Sequence, residues 1–218
     1  EPEVRLVVAK QSYEGIVGRP SNEFPGFALI FRLKDPDNFS IVMEEAWQKA
    51  IGLVNFTSGQ DAQPGLIIDR PVQGETTFTV ARYAPVYGAE PSEELHVRHN
   101  FSPVIAMPGD YVILASCEEI ARKLIDAAES EIANGTTAYP DYHTLLQVDG
   151  ALLADAFEAN REGMIDKNMI EKGMDREEAE KEFEGLMFVA RLIGDVQIGA
   201  SESDETLRLK LTVEPSIP

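Results

Sequence analysis

The chain has 218 residues, with 38 Asp and Glu against 19 Lys and Arg, which gives a formal net charge of −19 at pH 7. Such an acidic surface repels phosphate backbones and anionic headgroups, which argues against nucleic acid and membrane-surface partners. A single cysteine excludes an internal disulfide, and no apolar stretch approaches the roughly 18 residues that a membrane-spanning helix needs. The composition predicts a globular chain with no membrane-spanning segment.

The first elements are two strands followed by a long helix. Residues 4–9 and 27–33 are rich in β-branched and aromatic side chains, which is typical of strands. Asp35 before Pro36 supplies an N-cap and a proline in the first helical turn. Apolar residues then recur with helical spacing, and the pattern predicts a helix over about 36–54 with a buried stripe made of Phe39, Val42, Met43, Ala46, Trp47, Ala50, Ile51 and Val54.

Two hairpins and a second helix follow. Residues 66–69 and 76–83 are predicted strands that turn near Gln73 and Gly74, and residues 101–107 and 110–115 turn at Pro108 and Gly109. The next helix begins with Ser116 and Glu119 at the spacing of a capping box and ends at Asn134 and Gly135. Its predicted buried stripe consists of Ile120, Leu124, Ile125, Ala128 and Ile132.

The last third repeats the order of strand, capping residue and helix. A strand over 145–148 leads to Asp149 and to a helix that runs to about residue 169. Gly173 interrupts the helical pattern, and Asp175 with Glu178 predicts the cap of a further helix that reaches Ile193. A closing hairpin over 196–201 and 207–213 turns at Ser203 and Asp204.

The element order predicts an α+β fold. Strand pairs beside helices favour an antiparallel or mixed sheet covered by amphipathic helices on one face. We expect a single domain over residues 1–218; two related halves, about 1–90 and 99–218, meeting near residues 88–98, are the alternative.

Cys117 is the only cysteine, and it stands where a strand turns into a helix. A helix N-terminus lowers a thiol pKa, but Glu118 and Glu119 place negative charge beside it and oppose that effect. The capping box of Ser116 and Glu119 explains the spacing without thiol chemistry. We therefore expect a small, partly buried residue at position 117 and no nucleophile.

The three histidines are the candidates for a metal site. His96 and His99 form H-x-x-H, but LHVRH alternates apolar and polar residues like a strand or an extended loop, in which residues three apart point to opposite faces. A zinc site would need a third ligand, such as His143 or a carboxylate. Exposed loop histidines are the favoured interpretation.

Other motifs give no site. The run from Asp35 to Phe39 resembles the start of a calcium loop, but it lacks the required glycine at Ser40 and glutamate at Ala46. The common hydrolase, nucleotide and dinucleotide motifs are absent from the sequence. Methionines concentrated in the last helical pair are interpreted as core filling. The sequence assigns no catalytic residue, no metal ligand and no cofactor.

Several motifs together resemble a family of uncharacterised bacterial extracytoplasmic proteins. They are Lys34-Asp35-Pro36 before a long helix, Ser102-Pro103 at a hairpin entry, GDYVILAS over Gly109 to Ser116 before a helix, and the closing LRLKLTV. Members of that family are domains of unknown function, often lipoproteins or exported chains. The resemblance implies an α+β fold and an extracytoplasmic location, whether periplasmic, secreted or lipid-anchored through a removed N-terminal segment. It carries over no site residues.

Three functions remain open at this point. The first is a non-enzymatic binding or interaction module of the bacterial cell envelope, with a protein partner from the envelope or the secreted fraction. The second is a hydrolase or metal-dependent enzyme that uses His96, His99 or His143 together with carboxylates. The third is a carrier for an apolar ligand held between the sheet and its helices.

Overall fold

The computed structural model describes residues 4–13, 18–84, 94–135, 144–203 and 206–215, and it has an α+β fold. Five α-helices lie within these residues. The chain divides into two compact units, Glu1–Thr136 and Thr137–Pro218. This division falls between the second helix and the strand that follows it along the chain.

The described residues of unit 1 form ten strands, two α-helices and one short 3₁₀ helix. The strands and α-helices are β1 (Val4–Ala9), β2 (Arg19–Pro20), β3 (Gly26–Arg32), α1 (Pro36–Gln60), β4 (Leu66–Asp69), β5 (Val72–Gln73), β6 (Thr76–Thr77), β7 (Thr79–Tyr83), β8 (Glu94–Leu95), β9 (Val104–Ala106), β10 (Tyr111–Ala115) and α2 (Glu118–Asn134). Six of the strands form one antiparallel sheet in the order β1-β3-β10-β9-β7-β4. A short 3₁₀ helix, Val97–Asn100, precedes β9.

The main core of unit 1 lies between this sheet and α2. The alternation of each strand sends one set of apolar side chains toward the helix. Ile120, Ala121 and Ile125 of α2 are buried among them, and the strands contribute Ala28, Ile30, Phe78, Val80, Val104, Ala106, Tyr111, Ile113 and Ala115. The predicted stripe is confirmed at Ile120, Ile125 and Ala128, which are buried, and Leu124 is partly buried. Ile132 is 45% exposed because it lies in the last turn of the helix, outside this core.

Helix α1 packs on the opposite face of the same sheet, so the expectation that helices cover only one face is wrong. Ile51 packs against Leu66 and Ala81, whose side chains point away from α2. The Asn55 side chain fixes this contact, because it accepts from the Leu66 amide at 2.7 Å and donates to the Leu66 carbonyl at 2.9 Å. The predicted buried stripe of α1 is wrong in extent, since Ile51 is its single buried member and Phe39 and Val42 are exposed.

The start of α2 differs from the predicted capping box. The N-cap residue is Cys117, and its side chain makes no capping hydrogen bond. The Ser116 hydroxyl accepts from the Phe27 amide at 2.9 Å, while the Glu118 amide donates to the Ser102 hydroxyl at 2.9 Å. The hydroxyl that caps the helix thus comes from a residue before β9, and Ser116 ties the end of β10 to β3.

The described residues of unit 2 form a three-stranded sheet and three helices. Its elements are β11 (Thr144–Asp149), α3 (Gly150–Ala159), α4 (Arg161–Lys172), α5 (Arg176–Ile193), β12 (Asp195–Ser203) and β13 (Thr206–Glu214). The strands are antiparallel in the order β11-β12-β13. The helices enclose a core around Phe183, with Ala154, Ile165, Ala179, Met187 and Ala190 also buried.

The predicted starts of two helices in unit 2 are confirmed by their N-caps, but the predicted length of the first of these helices is wrong. Asp149 accepts from the amides of Ala151 and Leu152, and Asp175 accepts from the amide of Glu178. The single helix predicted to reach residue 169 is instead two helices. Asn160 separates them because its side-chain amide donates to the Ala156 carbonyl at 2.9 Å, which ends α3 locally. The closing turn at Asp204 lies outside the described residues.

Candidate functional residues and apolar surfaces

Cys117 is a buried side chain, with 5% of its surface exposed. Its Sγ fills the space that Gly26 leaves, since a Cβ built on Gly26 would lie 2.9 Å from the sulfur. Burial raises the pKa of the Cys117 thiol, and the charge of Glu119 acts in the same direction. The thiol is therefore protonated at neutral pH and out of reach of a substrate, which is the opposite of an activated nucleophile.

His96 and His99 sit at the two ends of one turn of 3₁₀ helix. His96 caps it, with its Nδ1 accepting from the Arg98 amide at 3.2 Å. The ring of His99 lies 5.8 Å from the ring of Tyr83. Burial lowers the pKa of His99, and the charges of Arg98 and His96 lower it further. His99 is therefore a neutral packing residue near pH 7.

The environment of these histidines is cationic and does not resemble a metal site. Arg98 lies over the Tyr83 ring at 5.5 Å, and its Nη1 donates to the Gln63 side chain at 3.0 Å. In the described part of the chain, no group of three or more His, Cys, Asp or Glu side chains could hold a metal ion. His143, the third candidate ligand, lies outside the described residues.

A buried polar network centred on Asn100 was not predicted from the sequence. The Asn100 side-chain oxygen accepts from the Tyr13 hydroxyl at 2.5 Å and from the Phe24 amide at 2.8 Å. Its nitrogen donates to the Asn22 and Val97 carbonyls, each at 2.8 Å. Burial raises the pKa of Tyr13 to about 12, so the phenol remains a donor at neutral pH. These bonds join loops far apart in sequence, and their role is structural.

The face of the unit 1 sheet that points away from α2 is covered by α1 at β4 and β7, but it exposes apolar side chains along β1 and β3. We call it the open face: Val4, Leu6, Val8, Phe27 and Leu29. The strand register pairs Val4 with Phe31, Leu6 with Leu29 and Val8 with Phe27, so these side chains share one surface. Leu6 is 67% exposed and Val8 is 59% exposed. The alternation in VRLVVA was the signal in the sequence, since Arg5 and Val7 point to the α2 side.

The unit 2 sheet has a second apolar surface, which we call the unit 2 strand face. Its members are Leu146, Val148, Val196, Ile198, Ala200, Leu209, Leu211 and Val213, which the register places side by side on the three strands. Leu209 and Leu211 of β13 are 76% and 66% exposed. In contrast, Met164, Met169 and Met174 pack against the Phe183 core, so the interpretation of the methionines as core filling is confirmed for these positions.

Comparison with other proteins gives no relative. No family model, no curated protein and no solved structure matches this chain. The resemblance to a bacterial extracytoplasmic family therefore stays a prediction. In the described part of the chain no helix combines the length and apolarity needed to cross a membrane.

Proposed function

We propose that the protein is a non-enzymatic interaction module that binds another polypeptide through the open face of unit 1, and that it acts outside the cytoplasm, at the bacterial cell envelope or in the secreted fraction. The observation that carries the proposal is the exposure of five apolar side chains on one surface of β1 and β3. The extracytoplasmic location is supported by the sequence resemblance alone.

The open face favours binding because exposed apolar area is costly in water. Each square ångström removed from water contributes about 25 cal/mol, and contiguous apolar patches on soluble proteins commonly mark interaction sites. Arg5, the one charged residue of β1, does not interrupt the patch, since it points to the other side of the sheet, where it pairs with Glu131. A partner can therefore cover the open face without burying an unpaired charge.

The edge position of β1 suggests the chemistry of the partner. β1 is the first strand of the six-stranded sheet and has no strand partner on its outer side among the described residues, so this edge offers backbone donors and acceptors beside the open face. An extended segment with apolar side chains at alternate positions would pair with β1 and continue the open face as a seventh strand. We propose a partner segment of this kind.

The candidate chemical residues weigh against an enzyme. Cys117 is buried and protonated, and His96 and His99 are engaged with Arg98 and Tyr83. The proposal therefore assigns no catalytic or cofactor-binding residue.

Photocrosslinking tests the proposal directly. A benzophenone amino acid at Leu6 is compared with the same group at Ala127, an exposed residue of α2. In cells of the natural source, we expect one discrete crosslinked polypeptide from position 6 and none from position 127. The purified polypeptide should then bind the wild-type protein and an Ala127→Lys variant, but not Leu6→Lys. Equal labelling from both positions, or binding by Leu6→Lys, would refute it.

Native mass spectrometry with zinc tests the rival functions. We expect no stoichiometric metal adduct and no retained small molecule. One bound zinc that disappears in His96→Ala would contradict the non-enzymatic proposal, and a retained apolar molecule would favour a carrier.

A further inference from the structure

Strand β13 lies at an edge of the unit 2 sheet. Its nine residues pair with β12 without interruption of the register, and β13 has no second strand partner among the described residues. A long, regular edge strand is a template for pairing with another chain. Its side chains Leu209, Leu211 and Val213 are exposed on the unit 2 strand face, while Arg208, Lys210 and Glu214 are exposed on the other face.

On that other face, the carboxylates of neighbouring strands lie opposite each other without a cation between them. The register places Asp149 opposite Asp195 and Asp195 opposite Glu214, so three carboxylates form a row across the sheet. The Asp149 carboxylate accepts from the Ala151 and Leu152 amides at the start of α3, so the repulsion in the row falls mainly on Asp195 and Glu214. Like charges directly opposite each other destabilise a strand pair. Asp195 and Glu214 have no ion pair with any described residue, and neither do Arg208 and Lys210. The row ends at the open edge of β13, where a cation from outside would offset the repulsion.

We propose that the chain forms a two-fold symmetric dimer in which β13 pairs antiparallel with β13 of a second copy, centred on Leu211. In this register Arg208 of each copy lies opposite Glu214 of the other, which places a cation at the end of each carboxylate row. Leu209 lies opposite Val213, and Lys210 lies opposite the uncharged Thr212. All apolar side chains remain on one face.

Other registers are less favourable for an identical strand. Centring the pair on Lys210 places this residue opposite itself, and centring it on Leu209 places Arg208 opposite Lys210 twice. Both oppose like charges. Centring it on Thr212 pairs Lys210 with Glu214, but it shortens the overlap to residues 210–214. The register centred on Leu211 combines opposite charges with the longer overlap of residues 208–214.

The charge pattern of β13 favours a second copy of this chain as the partner of its edge. A two-fold axis makes each contact twice, so one Arg208 and Glu214 pair in the sequence becomes two pairs in the dimer. The proposal uses a different sheet from the open face of unit 1, and it does not depend on the proposed function. Failure of one leaves the other unaffected.

Charge reversal tests the register. Sedimentation equilibrium between 1 and 100 μM in 0.15 M salt measures the dimer dissociation constant. We expect wild-type dimers, a loss of affinity of at least tenfold in Arg208→Glu and in Glu214→Arg, and recovery in the double variant, in which the charges are exchanged. Lys210→Glu is the matched control and should still form the dimer, because its partner is Thr212. Circular dichroism checks that the fold of each variant is unchanged.

Cysteine crosslinking gives an independent measurement. In a Cys117→Ser background, Leu211→Cys places two thiols on the two-fold axis, where opposite Cβ atoms of paired strands lie about 4.5–5.5 Å apart. Molecular oxygen with a copper catalyst should give an interchain disulfide with Leu211→Cys at a rate at least tenfold above that of Thr212→Cys. A monomeric wild type at 100 μM, a dimer that the charge reversals do not weaken, a double variant that stays monomeric, or equal crosslinking rates would each overturn the proposal.

Discussion

Replacement of Asn100 with Ala is the most informative test of how unit 1 holds its loops. The side chain makes four hydrogen bonds, two as acceptor from Tyr13 and Phe24 and two as donor to the Asn22 and Val97 carbonyls. Asn100 is 2% exposed, so the groups left behind have little access to water. We expect Asn100→Ala to be strongly destabilising.

The magnitude follows from these four bonds. At about 1 kcal/mol for each hydrogen bond, and with some water entering the vacated space, the free energy of unfolding should fall by about 3 kcal/mol. For a urea dependence of about 2 kcal/mol per molar, this loss moves the unfolding midpoint down by roughly 1.5 M. Such a change is a large part of the roughly 5–15 kcal/mol that stabilises a typical domain.

Urea unfolding followed by Trp fluorescence measures this change in unit 1. Trp47 is the only tryptophan, and it packs against the cluster formed by Ile51, Leu66 and Ala81. Asn134→Ala is the control, because Asn134 is exposed and its amide makes one bond, to the Ser130 hydroxyl at 3.3 Å. If both variants shift the midpoint equally, the Asn100 network does not stabilise unit 1 and the reasoning fails.

Two further predictions concern ionisable groups. Hydrogen bonds from Arg5, with a smaller contribution from Tyr111, hold the pKa of Glu131 below its ordinary value, so the unfolded chain binds this proton more tightly than the folded one. The resulting stability is present above pH 4.5 and is lost as the pH falls through the folded pKa; in Glu131→Gln, the urea midpoint should be lower at pH 6 and should change less between pH 5 and pH 3. The Cys117 thiol, buried and with a raised pKa, should react with iodoacetamide at pH 8 at least 100-fold more slowly in the folded protein than in urea. Rapid labelling of the folded protein would contradict the buried position of Cys117.

The helix caps could be predicted from the sequence because they depend on neighbouring residues. Asp35, Asp149 and Asp175 each cap a helix from within three residues, and the structure confirms all three. The α+β class followed from the order of these local units. Gly135 likewise ends α2 in the left-handed conformation that the sequence suggested.

Interactions between distant residues could not be predicted in this way. Ser116 looked like a local cap, but its hydroxyl accepts from Phe27, which is far away in sequence. No pattern in the sequence predicted the bonds of Asn100, because its partners come from three separate segments. The face of the sheet that α1 covers depends on which strands are neighbours, and no pattern within α1 specifies that.

The order of strands in unit 1 has a consequence for biosynthesis. β3 lies between β1 and β10 in the sheet. β10 is therefore synthesised long after β3, the strand with which it pairs. A nascent chain that ends before Tyr111 has the β1 and β3 hairpin but neither β10 nor α2, and therefore lacks one side of the main core. Because such long-range contacts must form before the core is closed, unit 1 folds only after α2 has left the ribosome. Until then the apolar strands of the sheet remain exposed, which makes the incomplete chain prone to aggregation.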